Sequence, residues 1–130
     1  MRVWGAVGDL LVEVVARRSE DGFRVQRSRE ARDRLRSAPV CSGLVREGPA
    51  VDLRLVPPVG SPLLDLPLAL AALGAAGRLE EAGWVFAHGR LGPDGTVYDG
   101  REAAGTLKDA VEACSGDPLS PSLRAGTIGS

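Results

Sequence analysis

Alternation of apolar and polar positions is clearest in the first half of the chain. Arg2–Val7 and Leu10–Arg17 both alternate, and a Gly-Asp turn signal separates them. Gly22–Gln26 alternates again after a second turn, which predicts an opening antiparallel meander of three short strands. Val51–Leu55 alternates strictly and predicts a fourth strand.

Helical periodicity follows in two places. A helix capped by Ser28 is predicted to run to about Ser37, where Pro39 ends it. Asp65 is expected to cap a second helix, in which leucines recur every three or four positions. Because Leu66–Gly77 carries almost no charge, we expect this helix to be the central buried one.

The last third of the chain predicts two further strands and a helix. Trp84–Leu91 is predicted as a fifth strand, followed by a Gly-Pro-Asp-Gly turn and the strand Thr96–Tyr98. A final helix is predicted to begin at Gly100 or Thr106 and to end near Cys114.

The predicted element order, βββαβαββα, indicates an α+β fold with helices packed on one face of a mixed sheet. We expect the Val51–Leu55 strand to run beside the Trp84–Leu91 strand, with the Leu66–Gly77 helix laid across both. The length of 130 residues predicts a single domain over 1–114, and the Gly-, Ser- and Pro-rich segment 115–130 is expected to be loosely held.

Composition excludes several classes of protein. The chain is 44% apolar and 25% charged, which is typical of globular domains. It has no apolar run long enough to span a membrane, and an acidic residue comes too early for a signal peptide. Its two cysteines are too few for a disulfide scaffold, so a cytoplasmic location is expected.

Three segments resemble the N-terminal domain of the ComM-type, magnesium-chelatase-like competence proteins. Val51–Leu55, a loop and then Asp65–Leu70 resemble that family's strand, loop and DLPIAL helix. Ser28–Leu35 is similar to its SRERV helix, and Phe86–Gly95 to its FxGELSLDG hairpin. The resemblance implies a ribosomal S5 domain 2-like fold, shared with the Lon peptidase domain and the RadA C-terminal domain.

In ComM-type proteins this domain precedes an AAA+ ATPase module. The chain has no G-x-x-x-x-G-K-[ST] motif, so it encodes no phosphate-binding loop of that kind, and no cofactor is expected. The resemblance therefore implies a stand-alone, non-enzymatic interaction or assembly module. Its expected partner is an AAA+ ATPase or a second copy of the chain.

A Lon-like serine peptidase is the first alternative, because Lon enzymes pair a serine nucleophile with a desolvated lysine. The chain offers Ser61 and its single lysine, Lys108. The position matching the Lon serine falls nearer Leu63, and Lys108 has Glu112 four residues later, as in an exposed ion pair. The sequence therefore predicts no catalytic residues, and the Ser61–Lys108 pair stays an alternative.

The second alternative is a nucleic-acid-binding module. The segment 24–36 holds six arginines and two acids, and arginine forks suit phosphate groups. The candidate phosphate-binding residues are Arg27, Arg29, Arg32 and Arg36. A basic segment of this kind is also typical of a solvated helix face, so both interpretations stay open.

Other reactive residues predict no site. The only histidine, His88, has no second ligand at metal-binding spacing, so no metal is expected. Cys41 is expected to be a surface thiol and Cys114 a buried one. Trp4, Trp84 and Phe86 are expected in the core, with a docking surface as the alternative.

Overall fold

The fold is α+β, as predicted. The computed structural model describes residues 2–79 and 84–114, and within them it contains eight strands, three α-helices and one 3₁₀ turn, Pro62–Leu64. The strands are β1 (Arg2–Val7), β2 (Leu10–Arg18), β3 (Arg24–Val25), β4 (Val51–Val56), β5 (Trp84–Phe86), β6 (Arg90–Leu91), β7 (Thr96–Asp99) and β8 (Glu102–Thr106). The helices are α1 (Arg29–Cys41), α2 (Asp65–Ala75) and α3 (Leu107–Cys114).

The strands form two sheets rather than the single sheet expected. One is a mixed five-stranded sheet in the order β3-β4-β2-β1-β5, and the other is an antiparallel sheet in the order β6-β7-β8. In the larger sheet the β1–β2 and β2–β4 pairs are antiparallel, whereas β1–β5 and β3–β4 are parallel.

The predicted opening hairpin is confirmed, but the three-stranded meander is wrong. β1 and β2 pair around a turn in which Gly8 has φ +60°. β3 does not pair with β2, because β4 lies between them. β4 buries Val51 and Leu53 completely, whereas β3 has two residues and a half-buried Val25. The longer, more apolar strand therefore takes the interior position and leaves β3 at the edge.

The expected pairing of Val51–Leu55 with Trp84–Leu91 is also wrong. β4 and β5 lie in one sheet, but β2 and β1 separate them. The β1–β2 hairpin takes the centre because its inward side chains Val3, Val12 and Val14 are almost fully buried.

The burial predicted for the second helix is confirmed. Every residue of α2 from Asp65 to Leu73 is buried, and the helix packs against β1, β2 and β4. Gly5 permits this approach, since a Cβ on that residue would lie 2.7 Å from Leu64 Cδ2. The core is therefore a two-layer arrangement of α2 on the larger sheet.

The predicted fifth strand breaks into two pieces that belong to different sheets. β5 joins the larger sheet and β6 the smaller one, and residues 87–89 connect them. Gly89 has φ +151°, and a Cβ there would lie 2.9 Å from Val97 Cγ1. The strand pairing is interrupted here because Gly89 adopts a positive φ, which differs from the backbone conformation of a strand.

The third helix begins after Thr106, which excludes the alternative start at Gly100. Thr106 Oγ1 accepts a hydrogen bond from Asp109 N at 3.1 Å. Residues 102–106 form β8, which the sequence did not predict because Glu-Ala-Ala-Gly is poor in strand-forming side chains.

Ser28 caps α1 as predicted, since its Oγ accepts a hydrogen bond from Ala31 N at 3.2 Å. The predicted end near Ser37 is wrong, because the helix continues through Pro39 to Cys41. Pro39 is buried, and its carbonyl oxygen accepts from Leu44 N and Val45 N, which stabilises the helix end.

No helix in residues 2–79 and 84–114 is long and apolar enough to cross a membrane. The prediction for the segment 115–130 lies outside the described residues.

Candidate anion-binding site

Four arginines from four separate elements surround one surface pocket of about 310 Å³. They are Arg17 on β2, Arg24 on β3, Arg32 on α1 and Arg54 on β4. We call this the arginine pocket; Phe23, Val25, Gln26 and Asp52 complete its lining.

Strand register brings three of these side chains together. Arg17 and Arg24 are the cross-strand partners of Asp52, one from β2 and one from β3. Arg54 lies two residues further along β4, on the same face as Asp52. A row of guanidinium groups therefore crosses three adjacent strands, although the residues are far apart in the chain.

The pocket keeps a positive charge after its internal ion pairs are counted. Asp52 Oδ2 lies 3.3 Å from Arg17 Nη2 and 3.7 Å from Arg54 Nη2. Its four arginines and one aspartate give a formal charge of +3 (4 minus 1). Outside the lining, Asp21 Oδ2 lies 3.4 Å from Arg24 Nη1, and counting this carboxylate leaves a formal charge of +2 (4 minus 2). Since two carboxylates cannot satisfy all the donors of four guanidinium groups, the pocket retains capacity for an added anion.

The structure disperses the four arginines predicted as a single phosphate site. Arg32 lines the arginine pocket, while Arg29 is exposed in the first turn of α1. Arg36 pairs with Asp33 at 3.6 Å, with both side chains 56% exposed. Arg27 is buried. Of the predicted set only Arg32 lines the pocket, whose other arginines, Arg17, Arg24 and Arg54, are absent from that set.

Two of these three residues have a signal in the sequence. Arg17 and Arg54 occupy the outward positions of alternating strands, which the sequence shows. They lie beside Arg24 only because β4 pairs with both β2 and β3, and the sequence pattern does not predict that pairing.

Two arginines meet a buried aspartate elsewhere in the structure, and we call Arg27, Arg34 and Asp65 the buried triad. Asp65 is 0% exposed. Its Oδ2 accepts hydrogen bonds from Arg34 Nη2 and Leu91 N, both at 3.2 Å, and its Oδ1 lies 3.7 Å from Arg27 Nη1. The triad links the segment before α1, α1 itself and α2, and the Leu91 amide joins β6 to it.

The predicted capping role of Asp65 is wrong. The chain enters α2 from the 3₁₀ turn, so the N-cap position belongs to Leu64, which makes no side-chain cap. Leu66 N donates to Gly89 O at 3.0 Å, so this amide needs no carboxylate. The Asp65 side chain is left free to meet the two arginines.

Burial dominates the electrostatics of the triad. Burial raises the pKa of Asp65, and the Leu91 amide and the two guanidinium groups offset only part of that shift. Burial likewise lowers the pKa of Arg27. Among the residues that the structure describes, Arg27 Nη1, Arg34 Nε and Asp65 Oδ1 find no hydrogen-bond partner. The triad therefore fixes how the elements pack, at a considerable desolvation cost.

Within residues 2–79 and 84–114, no hydrogen bond joins Ser61 to Lys108. Ser61 Oγ caps the 3₁₀ turn by accepting from Leu63 N at 3.3 Å. Lys108 is exposed in the first turn of α3. A lysine base must be desolvated to be neutral, and an exposed side chain does not meet that condition.

The remaining reactive residues form no cluster. His88 is half-buried between β5 and β6, and residues 2–79 and 84–114 contain no group of three potential metal ligands. Cys41 is exposed and Cys114 is buried, as predicted. Burial raises the pKa of the Cys114 thiol to about 11, so this group is a poor nucleophile.

The aromatic side chains are neither fully buried in the core nor all exposed as a docking surface. Trp84 is 52% exposed, and Trp4 and Phe86 are half-buried neighbours on β1 and β5. Trp84 is therefore not a core residue, contrary to the expectation.

Comparisons with protein-family models, with curated proteins and with solved structures found no match for this chain.

Proposed function

We propose that this chain is a non-catalytic module that binds nucleic acid by holding backbone phosphates in the arginine pocket. The observation that carries the proposal is the convergence of Arg17, Arg24, Arg32 and Arg54 on one concave site. Arginine presents a planar fork of donors that matches phosphate geometry. These arginines lie on a helix and three strands, so their backbone is already ordered before the ligand binds. This order lowers the entropic cost of binding.

The proposal depends on the local charge of the arginine pocket and not on the net charge of the chain. The whole chain has a formal net charge of −1, which gives no general attraction to nucleic acid. The pocket lining carries +3, so contact is limited to a small number of phosphates. We therefore expect weak binding that depends strongly on salt, with a slope of log K against log salt of about −2 to −4 for three to four phosphate contacts.

The resemblance to ComM-type proteins enters as a further part of the proposal. The burial of α2, whose sequence resembles the DLPIAL helix, supports a ribosomal S5 domain 2-like fold. A detached domain of this kind would act beside an AAA+ ATPase or a second copy of itself, in the cytoplasm. The free thiols of Cys41 and Cys114 suit a reducing compartment.

Fluorescence anisotropy with a short labelled oligonucleotide tests the binding. Arg32→Ala and Arg54→Ala each remove one guanidinium from an exposed position, so folding should be retained. Each variant should weaken binding and reduce the magnitude of the salt slope by about 1.

Arg101→Ala is the matched control, because it removes the same charge from an exposed residue between β7 and β8. Equal losses for Arg101→Ala and Arg32→Ala would mean that net charge, not the pocket, governs binding. Unchanged binding in both pocket variants would overturn the proposal.

A further inference from the structure

A second, smaller pocket adjoins the arginine pocket. It has a volume of about 150 Å³, and the two pockets share Val25 and Gln26. Its walls come from Leu53 and Leu55 of β4 and from Pro58 and Val59 of the following loop. We call it the apolar pocket; its lining contains no ionisable side chain, in contrast to its neighbour.

The two pockets lie around the edge of the larger sheet. Arg24 pairs with Asp52, and Val25 with Leu53, so the polar pair and the apolar pair point to opposite faces. Between them runs β3, an edge strand of only two residues. A ligand that occupies both pockets must therefore bend sharply within a few ångströms of Val25 and Gln26.

Resting on the proposed function, we infer that the ligand is single-stranded nucleic acid, with a phosphate in the arginine pocket and an unpaired base in the apolar pocket. A single strand has freely rotating backbone bonds and bases that can be turned outward. A duplex is stiff over about 150 base pairs and keeps its bases stacked inside, so it can reach the arginine pocket alone. Gln26 is exposed where the pockets meet, and its amide can both donate to and accept from a base edge.

Gly60 offers a way to close the apolar pocket without disturbing the fold. It lines the pocket, its φ is not positive, and a Cβ built on it meets nothing within 4 Å. Gly60→Leu therefore places an apolar side chain at the pocket while every arginine is retained. Ala104→Leu on β8 is the matched control, since it adds a leucine at an exposed position of the other sheet.

The experiment measures anisotropy for three labelled probes of equal length: oligothymidylate, the same phosphate backbone with abasic sites, and a duplex. We expect oligothymidylate to bind at least about fivefold more tightly than the other two, a difference of about 1 kcal/mol, because only this probe can bury an unpaired base against the apolar side chains of the pocket. Gly60→Leu should remove that advantage and leave abasic and duplex binding unchanged, whereas Ala104→Leu should change nothing.

The outcomes separate this inference from the proposed function. Equal binding of all three probes, unaffected by Gly60→Leu but weakened by Arg32→Ala, would overturn the inference and leave phosphate binding standing. A Gly60→Leu loss of equal size on every probe would also overturn it, since no base would then be involved. If none of the three probes binds, both the proposed function and this inference are wrong.

Discussion

The buried triad is expected to carry a measurable share of the folding free energy, and Arg34→Met tests this. Methionine keeps most of the side-chain length but cannot donate to Asp65 Oδ2, which Arg34 now does at 3.2 Å. Arg34 is 18% exposed and Asp65 fully buried, so solvent replaces little of the lost contact. Removing one partner from a buried ion pair costs about 3–5 kcal/mol.

Asp65 keeps two other partners, Arg27 and the Leu91 amide, so the expected loss is about 2–4 kcal/mol. In urea denaturation with a slope near 2 kcal/mol per molar, the midpoint should fall by about 1–2 M. Arg36→Met is the control on the same helix. Its ion pair with Asp33 is half exposed, so its loss should stay below about 1 kcal/mol.

The pH dependence of the loss follows from the carboxyl group. Because burial raises the pKa of Asp65 above 3.8, the folded chain holds this proton more tightly than the unfolded chain. The contribution of Asp65 to stability is therefore complete below 3.8 and declines as pH rises through the folded pKa. Arg34→Met raises that pKa further, so the variant's deficit should be small near pH 4 and larger near pH 7.

Two results would refute this reasoning. Equal losses for Arg34→Met and Arg36→Met would show that the triad contributes no more than a surface pair. A deficit of the same size at both pH values would show that the lost energy is packing and not the ionisation of Asp65.

Three further predictions concern the fold. Leu68→Ala removes a side chain that is 0% exposed in α2 and should lower the free energy of unfolding by about 2–5 kcal/mol, measured in urea; a loss below about 1 would contradict the central position of α2. Ser28→Ala removes the α1 cap and should cost about 1 kcal/mol by thermal denaturation, whereas Ser28→Asp, which retains a capping oxygen, should cost less. An aromatic disulfide reagent should label Cys41 in the folded chain and Cys114 only after unfolding; rapid labelling of both would contradict the burial of Cys114.

The sequence predicts those elements whose signal is local. The β1–β2 hairpin has alternation and a Gly-Asp turn, and the Ser28 cap is followed by a helical pattern. The burial of α2 was readable because it has almost no charge over two turns or more. In each case the physical cause lies within about a dozen residues.

The errors arise where distant segments decide the result. The sheet order depends on which strand buries more apolar surface beside β2. β4 buries more than β3 and therefore lies next to β2. Asp65 looked like a cap because nothing near it in sequence shows that Arg27 and Arg34 will arrive from another element. The predicted phosphate-binding set contains only Arg32 of the four pocket arginines for the same reason, since strand pairing brings Arg17, Arg24 and Arg54 to it.

The three-residue connection between the sheets has a consequence for internal motion. Gly89 N donates to Leu63 O at 2.9 Å, and Leu66 N donates to Gly89 O at 3.0 Å, so the connection is bonded in both directions to the start of α2. The smaller sheet cannot swing as a separate lobe without breaking both bonds. Deuterium should therefore enter the Gly89 and Leu66 amides at similar rates, set by one shared opening event.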